Sequence, residues 1–450
     1  MKRYSEYKDS GVKWIGEIPG HWECTRIKFI ANLYGRIGFR GYNSKDLNKD
    51  GIGAITLSPS NMKDMMMDYT NVTYLSWEKY NESPEIMIQQ GDILFVKTGS
   101  SYGKSCYVDN LPQEATINPQ ILRINPLING RFLCYYFNSS LARTFTECGV
   151  VGGTIPTISQ EKVGNFIALN PPLPEQEAIV TYLDSKVAKI DEYISIAEKK
   201  IAALEELKQT IIAEAVTRGI HKDVPMKDSG VKWIGMIPEH WDLIRAQNMV
   251  DCRKAGAWGE DSRKDERDRI CLRIADFDYS ICRFKRTGDY TIRNYKQEQI
   301  SSLYLNKGDI LIEKSGGGEK TPVGRAILYD LDFYQPLYAN FMEKITLREF
   351  ASSSFYVYLL RTFYAKGCVW KYIKQTTGLQ NLDLRAMLGS ETFPVPPLPE
   401  QQEIVTYIEA KVANINQLCQ AERSQIEKLK EYKQRLISDV VTGKVKVTND

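Results

Sequence analysis

The chain has 450 residues, of which 43% are hydrophobic and 26% are charged, and its formal net charge is +3. These values are typical of a globular chain with about two to four domains, and no apolar run reaches the roughly 18 residues that a membrane span needs. The nine cysteines form no CxxC pair, there are only three histidines, and the N-terminus lacks an apolar core. This pattern argues against zinc, a disulfide framework and secretion, and predicts a cytoplasmic protein without a metal site.

Three segments of the sequence occur twice, in the same order. The first is KDSGVKWIG, which runs from Lys8 to Gly16 and again from Lys227 to Gly235. The others are GDILFVKTG (Gly91–Gly99) with GDILIEKSG (Gly308–Gly316), and PPLPEQEAIVTYLDSKV (from Pro171) with PPLPEQQEIVTYIEAKV (from Pro396). The chain is therefore a tandem repeat of two units of about 225 residues, which is too long for a solenoid repeat.

The first copied segment, Lys8–Trp22 with its counterpart Lys227–Trp241, is called the latch below. Its glycines and proline predict turns, and its tryptophans are large apolar anchors. Because near-identical copies cannot distinguish two different targets, we interpret the latch as a structural or partner-binding element.

Each latch is followed by a stretch in which the two repeats diverge. Short β-rich runs such as GAITLS (Gly53–Ser58) and RAILYD (Arg325–Asp330) are broken by glycine, which predicts α+β heads. We place head 1 at residues 1–170 and head 2 at residues 220–395. Since the heads diverge while the flanking segments are nearly identical, the two heads are expected to act on different targets.

Loops rich in glycine and basic residues are the segments of the heads best suited to nucleic acid. The glycine loops, Lys97–Ser105 and Glu313–Arg325, each follow a GDIL strand, and basic stretches precede them at Gly35–Asn43 and Cys252–Lys264. Glycine allows close backbone approach, and cations and hydroxyls hold phosphates or base edges, although a solvated loop is the alternative for each residue. The DNA-binding candidates are Arg36, Arg40, Tyr42, Lys97, Ser101, Tyr102 and Lys104 in head 1, and Arg253, Lys254, Trp258, Lys314, Lys320 and Arg325 in head 2.

Each repeat ends in a long predicted helix, placed at residues 171–219 and 396–443, with a tail at 444–450. Apolar residues recur there at steps of four and three, which is the pattern of a coiled-coil seam, and each helix would be roughly 63 Å long. The spacer residues on the seam, also candidates for partner binding, are Leu183, Val187, Ile190, Ile194, Ile201 and Leu204, and Ile408, Val412, Ile415, Ile426, Leu429 and Leu436.

The two helices are predicted to pair with each other in antiparallel orientation, because the first leads into head 2 and the second leaves it. The fold class is then α+β, with two α+β domains in tandem, separated by an antiparallel coiled coil with approximate two-fold symmetry. The alternative is that each helix is buried separately in its own domain. Lys208, Glu422 and Lys433 fall on the seam, where charged residues would weaken packing and fix the register.

Two motifs suggest nucleotide or cofactor chemistry but are incomplete. GSSYGKS in the first glycine loop is one residue shorter than a P-loop and is followed by another predicted strand rather than a helix. NPPL at Asn170–Leu173 is similar to the NPP[YF] motif of adenine-N6 methyltransferases but lacks the aromatic residue that stacks on a flipped base. Neither motif therefore predicts a catalytic residue.

The two latches, the GDIL strands with their glycine loops, and the PPLPEQ helices together resemble the specificity subunit of a type I restriction–modification system. The resemblance covers essentially the whole chain. It implies that the heads are target recognition domains, that the helices are spacers, and that double-stranded DNA is read at a bipartite site. It also implies two modification (methyltransferase) subunits as partners, together with restriction (translocase/nuclease) subunits.

The resemblance further implies that this chain is non-catalytic and holds no cofactor. S-adenosylmethionine, ATP and Mg are expected only in the partner subunits. Two alternatives belong to other classes: a divergent, self-sufficient adenine-N6 DNA methyltransferase or fused restriction enzyme, which would need a cofactor loop, and a coiled-coil protein–protein adaptor, which would bind no DNA even with its partners present.

Overall fold

A computed structural model describes residues 3–13, 15–36, 41–48, 50–150, 155–318, 320–376 and 378–447. The chain divides into two compact units, of which unit 1 comprises Met1–Glu198 with Arg423–Asp450, and unit 2 comprises Lys199–Glu422. Each unit therefore contains one head, the first part of the long helix that follows it, and the last part of the other long helix. The boundaries of the five segments (two heads, two helices and the tail) remain a prediction from the sequence, because the two compact units are divided within the long helices and not at those boundaries.

The first repeat contains both strands and helices. In chain order its strands are β1 Tyr7–Asp9, β2 Glu17–Pro19, β3 Glu23–Arg26, β4 Ala31–Gly35, β5 Leu47–Asn48, β6 Ala54–Leu57, β7 Met62–Lys63, β8 Met66–Met67, β9 Thr73–Leu75, β10 Ile93–Val96, β11 Ser105–Tyr107, β12 Ala115–Ile117, β13 Ile121–Pro126 and β14 Ile167–Asn170. Its helices are α1 Ile27–Ile30, α2 Trp77–Asn81, α3 Gly130–Phe137, α4 Ser140–Gly149, α5 Gln160–Gly164 and the long α6 Leu173–Arg218.

The second repeat follows the same plan with more strands. They are β15 Met226–Asp228, β16 Met236–Pro238, β17 Asp242–Arg245, β18 Val250–Ala255, β19 Glu260–Asp261, β20 Asp268–Leu272, β21 Phe277–Asp278, β22 Arg283–Phe284, β23 Thr291–Asn294, β24 Ile310–Glu313, β25 Ser315–Gly316, β26 Ala326–Leu328, β27 Leu337–Tyr338, β28 Met342–Leu347, β29 Ile373–Thr376, β30 Leu379–Leu382 and β31 Thr392–Val395. Its helices are α7 Gln297–Leu303, α8 Ser353–Ala365, α9 Leu384–Ser390 and the long α10 Leu398–Val441.

The GDIL strand is central to each head. In unit 1, β10 lies inside the antiparallel sheet β11-β10-β13-β4, beside a second sheet of order β12-β6-β9-β5. Side chains alternate across a strand, so Ile93 and Phe95 enter one hydrophobic core while Leu94 and Val96 enter another. In unit 2, β24 divides two cores in the same way within the sheet β18-β28-β24-β26-β22-β21.

The aspartate of each GDIL segment forms a buried ion pair. Asp92 lies at the start of β10, and its carboxylate accepts a 2.6 Å hydrogen bond from Arg123 Nε, with the two side chains 0% and 9% exposed. In unit 2, Lys344 Nζ lies 3.4 Å from Asp309 Oδ2, again with both side chains buried. The repeated aspartate thus fixes the central strand against its neighbour in both heads.

The long helices pack against each other in antiparallel orientation within each unit, as predicted, so the alternative of separately buried helices is wrong. In unit 1, Lys433 Nζ of α10 lies 2.6 Å from Asp191 Oδ1 of α6. In unit 2, Lys208 Nζ of α6 donates to Asn416 Oδ1 of α10 over 3.1 Å. The predicted α+β class with antiparallel helices is confirmed. The seam residues are buried or half-buried, as are Lys208 and Lys433.

The two seam lysines are equivalent positions of the repeat. Lys208 and Lys433 are 225 residues apart, as are their partners Asp191 and Asn416. Lys208 is 1% exposed and also lies 2.5 Å from Glu205. The same cross-helix contact therefore occurs in each unit. It fixes the register of the two helices, which is the role predicted from the sequence for charged residues on the seam.

The latch binds both long helices of its unit. In unit 1, the buried indole of Trp22 donates to Glu175 Oε2 over 3.0 Å, and His21 Nε2 lies 2.7 Å from the same oxygen, in the first turn of α6. After the end of α10, Gly443 has φ +72° and lies so close to Pro19 and Trp22 that a Cβ would be 2.5 Å from the proline ring. The latch therefore has a structural role, as interpreted from the sequence.

We predict that Asp92→Ala destabilises unit 1 by about 3–5 kcal/mol, because it leaves Arg123 charged and unpaired in the interior. The loss should appear as faster hydrogen exchange of β10 and β13. The control is Asp109→Ala, which removes an exposed partner of Arg131 and should change stability by no more than about 1 kcal/mol. Equal effects of the two substitutions would contradict a structural role for the buried pair.

Candidate nucleic-acid interface

The glycine loops begin with a lysine at the same position in both heads. Lys97 follows β10 and Lys314 follows β24, and each backbone N–H donates to a neighbouring carbonyl, of Gln120 and of Phe341. Lys97 is half-buried, which lowers the pKa of its ammonium, and it has no ion pair within the described residues. Lys314 Nζ lies 3.3 Å from Glu343 Oε2. Their role as DNA contacts remains a prediction.

Arg36 is buried, which corrects its prediction as a DNA contact. It is 7% exposed, its Nη2 donates to Thr116 Oγ1 over 3.1 Å, and Nε and Nη2 donate to the Ile117 carbonyl. Burial lowers the pKa of the guanidinium, which lies 5.0 Å from the ring centre of the half-buried Tyr42. Arg36 therefore holds its segment against strand β12. Arg40 lies outside the described residues.

The rest of the first glycine loop borders a cavity of about 430 Å³. Ser101 is exposed and Tyr102 half-buried, and Arg143 of helix α4 lines the same cavity. The ammonium of Lys104 donates to the Met62 carbonyl. Lys104 is therefore held by its own chain, whereas Ser101 and Tyr102 face the cavity.

In head 2, two of the predicted cations meet on one buried carboxylate. Arg253 Nε lies 3.1 Å from Glu343 Oε1, on the side chain that also contacts Lys314. Lys254 donates to the Ser302 carbonyl over 3.0 Å. Trp258 is 41% exposed, with the guanidinium of Arg293 4.8 Å from its ring centre. The structure thus brings Arg253 and Lys314 together, while Arg293, which stacks on Trp258, is bonded to Asp261 and to the Gly259 carbonyl of its own chain.

The Arg325 side chain also makes its hydrogen bonds within its own chain. Its Nε and Nη2 donate to the two carboxylate oxygens of the buried Glu313 over 2.8 and 3.0 Å, and the guanidinium lies 4.1 Å from the ring centre of Tyr279. Burial, the largest single effect, lowers the pKa of Arg325, but the hydrogen bonds to Glu313 together with the charges of Tyr279, Glu313 and Tyr364 raise the pKa overall. We therefore correct Arg325 to a structural residue, while Lys320 is exposed.

The side chains of the spacer residues on α6 and α10 pack within the protein. Leu183, Ile408 and Leu436 are at most 2% exposed, and the others are buried or half-buried. These residues hold the helices together. Their proposed contribution to partner binding remains a prediction, and direct contact with a partner would fall to exposed residues of the same helices.

A hairpin beside the second glycine loop was not predicted from the sequence. Strands β29 and β30 form it, and β30 also pairs with β25 of the loop, giving a three-stranded sheet. In head 1, Thr157 pairs with Thr98 at the equivalent place. Gly378 was the available signal for a turn, but a turn does not reveal a pairing with a loop more than 60 residues earlier.

The described part of the chain contains no cluster of three or more histidine, cysteine, aspartate or glutamate residues suited to a metal ion. It contains no helix long and apolar enough to cross a membrane.

The fold and these loops define a class of protein. A model of the type I restriction modification DNA specificity domain matches residues 21–206 and 272–428. The matched ranges cover both repeats and more than half of the sequence. The chain therefore belongs to the type I restriction–modification specificity-subunit family, as the resemblance indicated, and this membership favours neither of the two alternative classes.

Individual relatives agree over nearly the full length. The chain is 24% identical to the type I restriction enzyme MjaVIII specificity subunit of Methanocaldococcus jannaschii, with 98% of each chain covered. It is 21% identical to the EcoKI specificity subunit of Escherichia coli K12, covering 96% of this chain and 90% of that one. A chain from a solved type I R-M structure superposes with a TM-score of 0.68 at 16% identity, covering 95% and 99%, and supports the fold.

We predict that Arg325→Met lowers the stability of unit 2 by about 3–5 kcal/mol, because the buried Glu313 loses its partner. Denaturant unfolding, with hydrogen exchange to localise the change to β24 and β26, is the measurement. Lys320→Ala is the matched control in the same loop and should change stability by no more than about 0.5 kcal/mol. An Arg325→Met protein of unchanged stability would return Arg325 to the DNA-binding candidates.

Proposed function

We propose that this chain is the DNA sequence-specificity subunit of a type I restriction–modification complex, and that each head reads one half of a bipartite target. The observation that carries the proposal is that the two heads share the same supporting elements but differ in their surface side chains. Both heads have the latch, the central strand with its buried aspartate, and a lysine at the start of the glycine loop. The side chains around that lysine differ, as two different half-sites require.

The shared and divergent residues divide into two roles. Lys97 and Lys314 are equivalent, and a cation common to both heads suits the phosphate backbone, which is the same in every sequence. Ser101 and Tyr102 in head 1, and Arg253 and Trp258 in head 2, have no such correspondence. Base contacts specify and phosphate contacts position, so the divergent set is where the two half-sites are distinguished.

The partners follow from the family rather than from this chain. Two modification subunits would bind to the nearly identical latch and helix segments, one for each repeat, and restriction subunits would complete the complex. Methylation with S-adenosylmethionine, and translocation and cleavage with ATP and Mg, would be carried out by those partners. This chain would be non-catalytic and would act as their scaffold. A cytoplasmic location would follow for a complex that acts on the cell's own DNA.

The first test is to co-express the chain with its modification subunit and map N6-methyladenine in the host genome by single-molecule sequencing. We expect a two-part motif methylated on both strands. Exchanging residues 23–170 for another head should change one half of the motif and leave the other unchanged. A complex that assembles and binds S-adenosylmethionine but methylates no motif would contradict the proposal.

A second test concerns the two equivalent lysines. Lys97→Ala and Lys314→Ala should each weaken DNA binding by the assembled complex for all sequences and reduce the slope of log affinity against log salt by about 1. Titrations at several salt concentrations provide the measurement. Lys430→Ala, which removes an exposed helix lysine paired with Glu427, is the control and should leave the slope unchanged. A changed motif with an unchanged slope would mean that these lysines read bases.

A further inference from the structure

The hairpin beside the second glycine loop forms an exposed ribbon. The ribbon consists of β25, β30 and β29, all antiparallel to their neighbours. Its register places Ser315 opposite Asn381, and Asn381 opposite Lys374. Because directly opposite residues share a face of a sheet, these three side chains form one row across the ribbon.

The two faces of the ribbon differ in exposure. Gln380 and Leu382 are 1% and 3% exposed and face the interior of head 2. Asn381 and Lys374 are exposed on the opposite face, and Leu379, two residues from Asn381 along the strand, is 51% exposed. The outer face therefore presents a hydroxyl, an amide and an ammonium group beside an apolar side chain.

The ribbon is fixed to the head by its own hydrogen bonds. Leu382 N donates to the Lys314 carbonyl over 2.8 Å, and Val323 N donates to Gln380 Oε1 over 3.3 Å. Ser315 Oγ donates to Asn381 Oδ1 over 2.7 Å, which orients the amide. The amide nitrogen of Asn381 has no acceptor among the described residues, so its two N–H donors face outward.

Head 1 has one backbone hydrogen bond and one β-bridge at the equivalent place, with different side chains. Ile158 N donates to the Lys97 carbonyl over 2.9 Å, which corresponds to the bond between Leu382 and Lys314. The bridge between Thr98 and Thr157 corresponds to the pair Ser315 and Asn381. The two heads thus share the support of this face and differ in the groups it presents.

We propose that the outer face of the ribbon enters the major groove and reads base edges, with Asn381 selecting an A·T pair in the half-site of head 2. The major groove admits a two-stranded β-ribbon, and β29 with β30 forms such a hairpin, beside which β25 is only two residues long. Asparagine pairs with adenine through two hydrogen bonds, and Asn381 Oδ1 keeps a second lone pair for this beside the bond from Ser315. Thr98 and Thr157 occupy the corresponding positions in head 1. This inference rests on the proposed function and assigns the residue that determines specificity within it.

The neighbouring cations support this division of roles. Lys374 Nζ lies 2.8 Å from Asp383, and that ion pair lowers the pKa of the aspartate. Lys314, whose position both heads share, lies 3.3 Å from Glu343 Oε2. Lys314 and Lys374 suit contacts with the phosphate backbone, whereas the exposed amide of Asn381 is a group able to distinguish base pairs.

The experiment uses the complete complex with its modification subunit, first as wild type and then with Asn381→Ala. Genome-wide methylation mapping identifies the motif, and exchange of residues 23–170 identifies which half belongs to head 2. Asn381→Ala should relax one A·T position of that half, with discrimination against other base pairs falling by about 10- to 100-fold. Lys371→Ala, at an exposed lysine outside the ribbon, should leave the motif unchanged.

A reciprocal variant guards against loss of folding. Thr157→Asn in head 1 should change the other half of the motif at one position, and both variants must still co-purify with the modification subunit. If the Asn381→Ala variant fails to co-purify, the test rests on Thr157→Asn alone. An unchanged motif in the Thr157→Asn variant would then overturn the inference.

The outcomes separate the inference from the proposed function. A wild-type complex with a two-part motif that Asn381→Ala and Thr157→Asn both leave intact would overturn the role of the ribbon and leave the function standing. A wild-type complex that assembles without methylating any motif would overturn both. A relaxed position confined to the half read by head 2 is the result expected.

Discussion

The contact on which each unit depends is the packing of the latch tryptophan between the start of one long helix and the end of the other. Trp22 is fully buried, bonded to Glu175 in the first turn of α6 and packed against Gly443 after α10. In unit 2, Trp241 and Glu400 both lie close to Gly219 and His240 contacts Glu400, but the indole N–H of Trp241 has no hydrogen-bond partner among the described residues. Each head is therefore joined to both helices through the end of its latch, and the latch occurs twice because that junction occurs twice.

The other elements of each unit can be described outward from this junction. The register of the helices is fixed by lysine contacts at equivalent positions, Lys433 with Asp191 in unit 1 and Lys208 with Asn416 in unit 2. The central strand is held by its buried aspartate and leads into the glycine loop. In head 2 this loop contributes β25 to the ribbon, and in head 1 it forms the bridge between Thr98 and Thr157. Divergent side chains are thus held on supports that are nearly identical in the two repeats, so a recognition surface can change without a change in the scaffold.

The features predictable from the sequence were those encoded locally or by repetition. The helices and their seam follow from a period of about 3.5 residues, and the two units follow from copied segments. Contacts between distant residues were not predictable. Arg36 was taken for a loop cation, but it bonds to a carbonyl 81 residues later, and Arg325 pairs with a glutamate that its own loop brings beside it. The partner of Asp92 lies 31 residues away with no motif to mark it.

The division of the helices between the units has a consequence for how the chain folds during synthesis. Unit 2 is one continuous stretch, Lys199–Glu422, so all of its contacts are available once that stretch has been made. Unit 1 is completed by the last segment, and the hydroxyl of Tyr7 bonds to a carbonyl 436 residues further on. The first head to be translated is therefore the last to be closed, and a chain that terminates early leaves the apolar face of α6 in unit 1 uncovered.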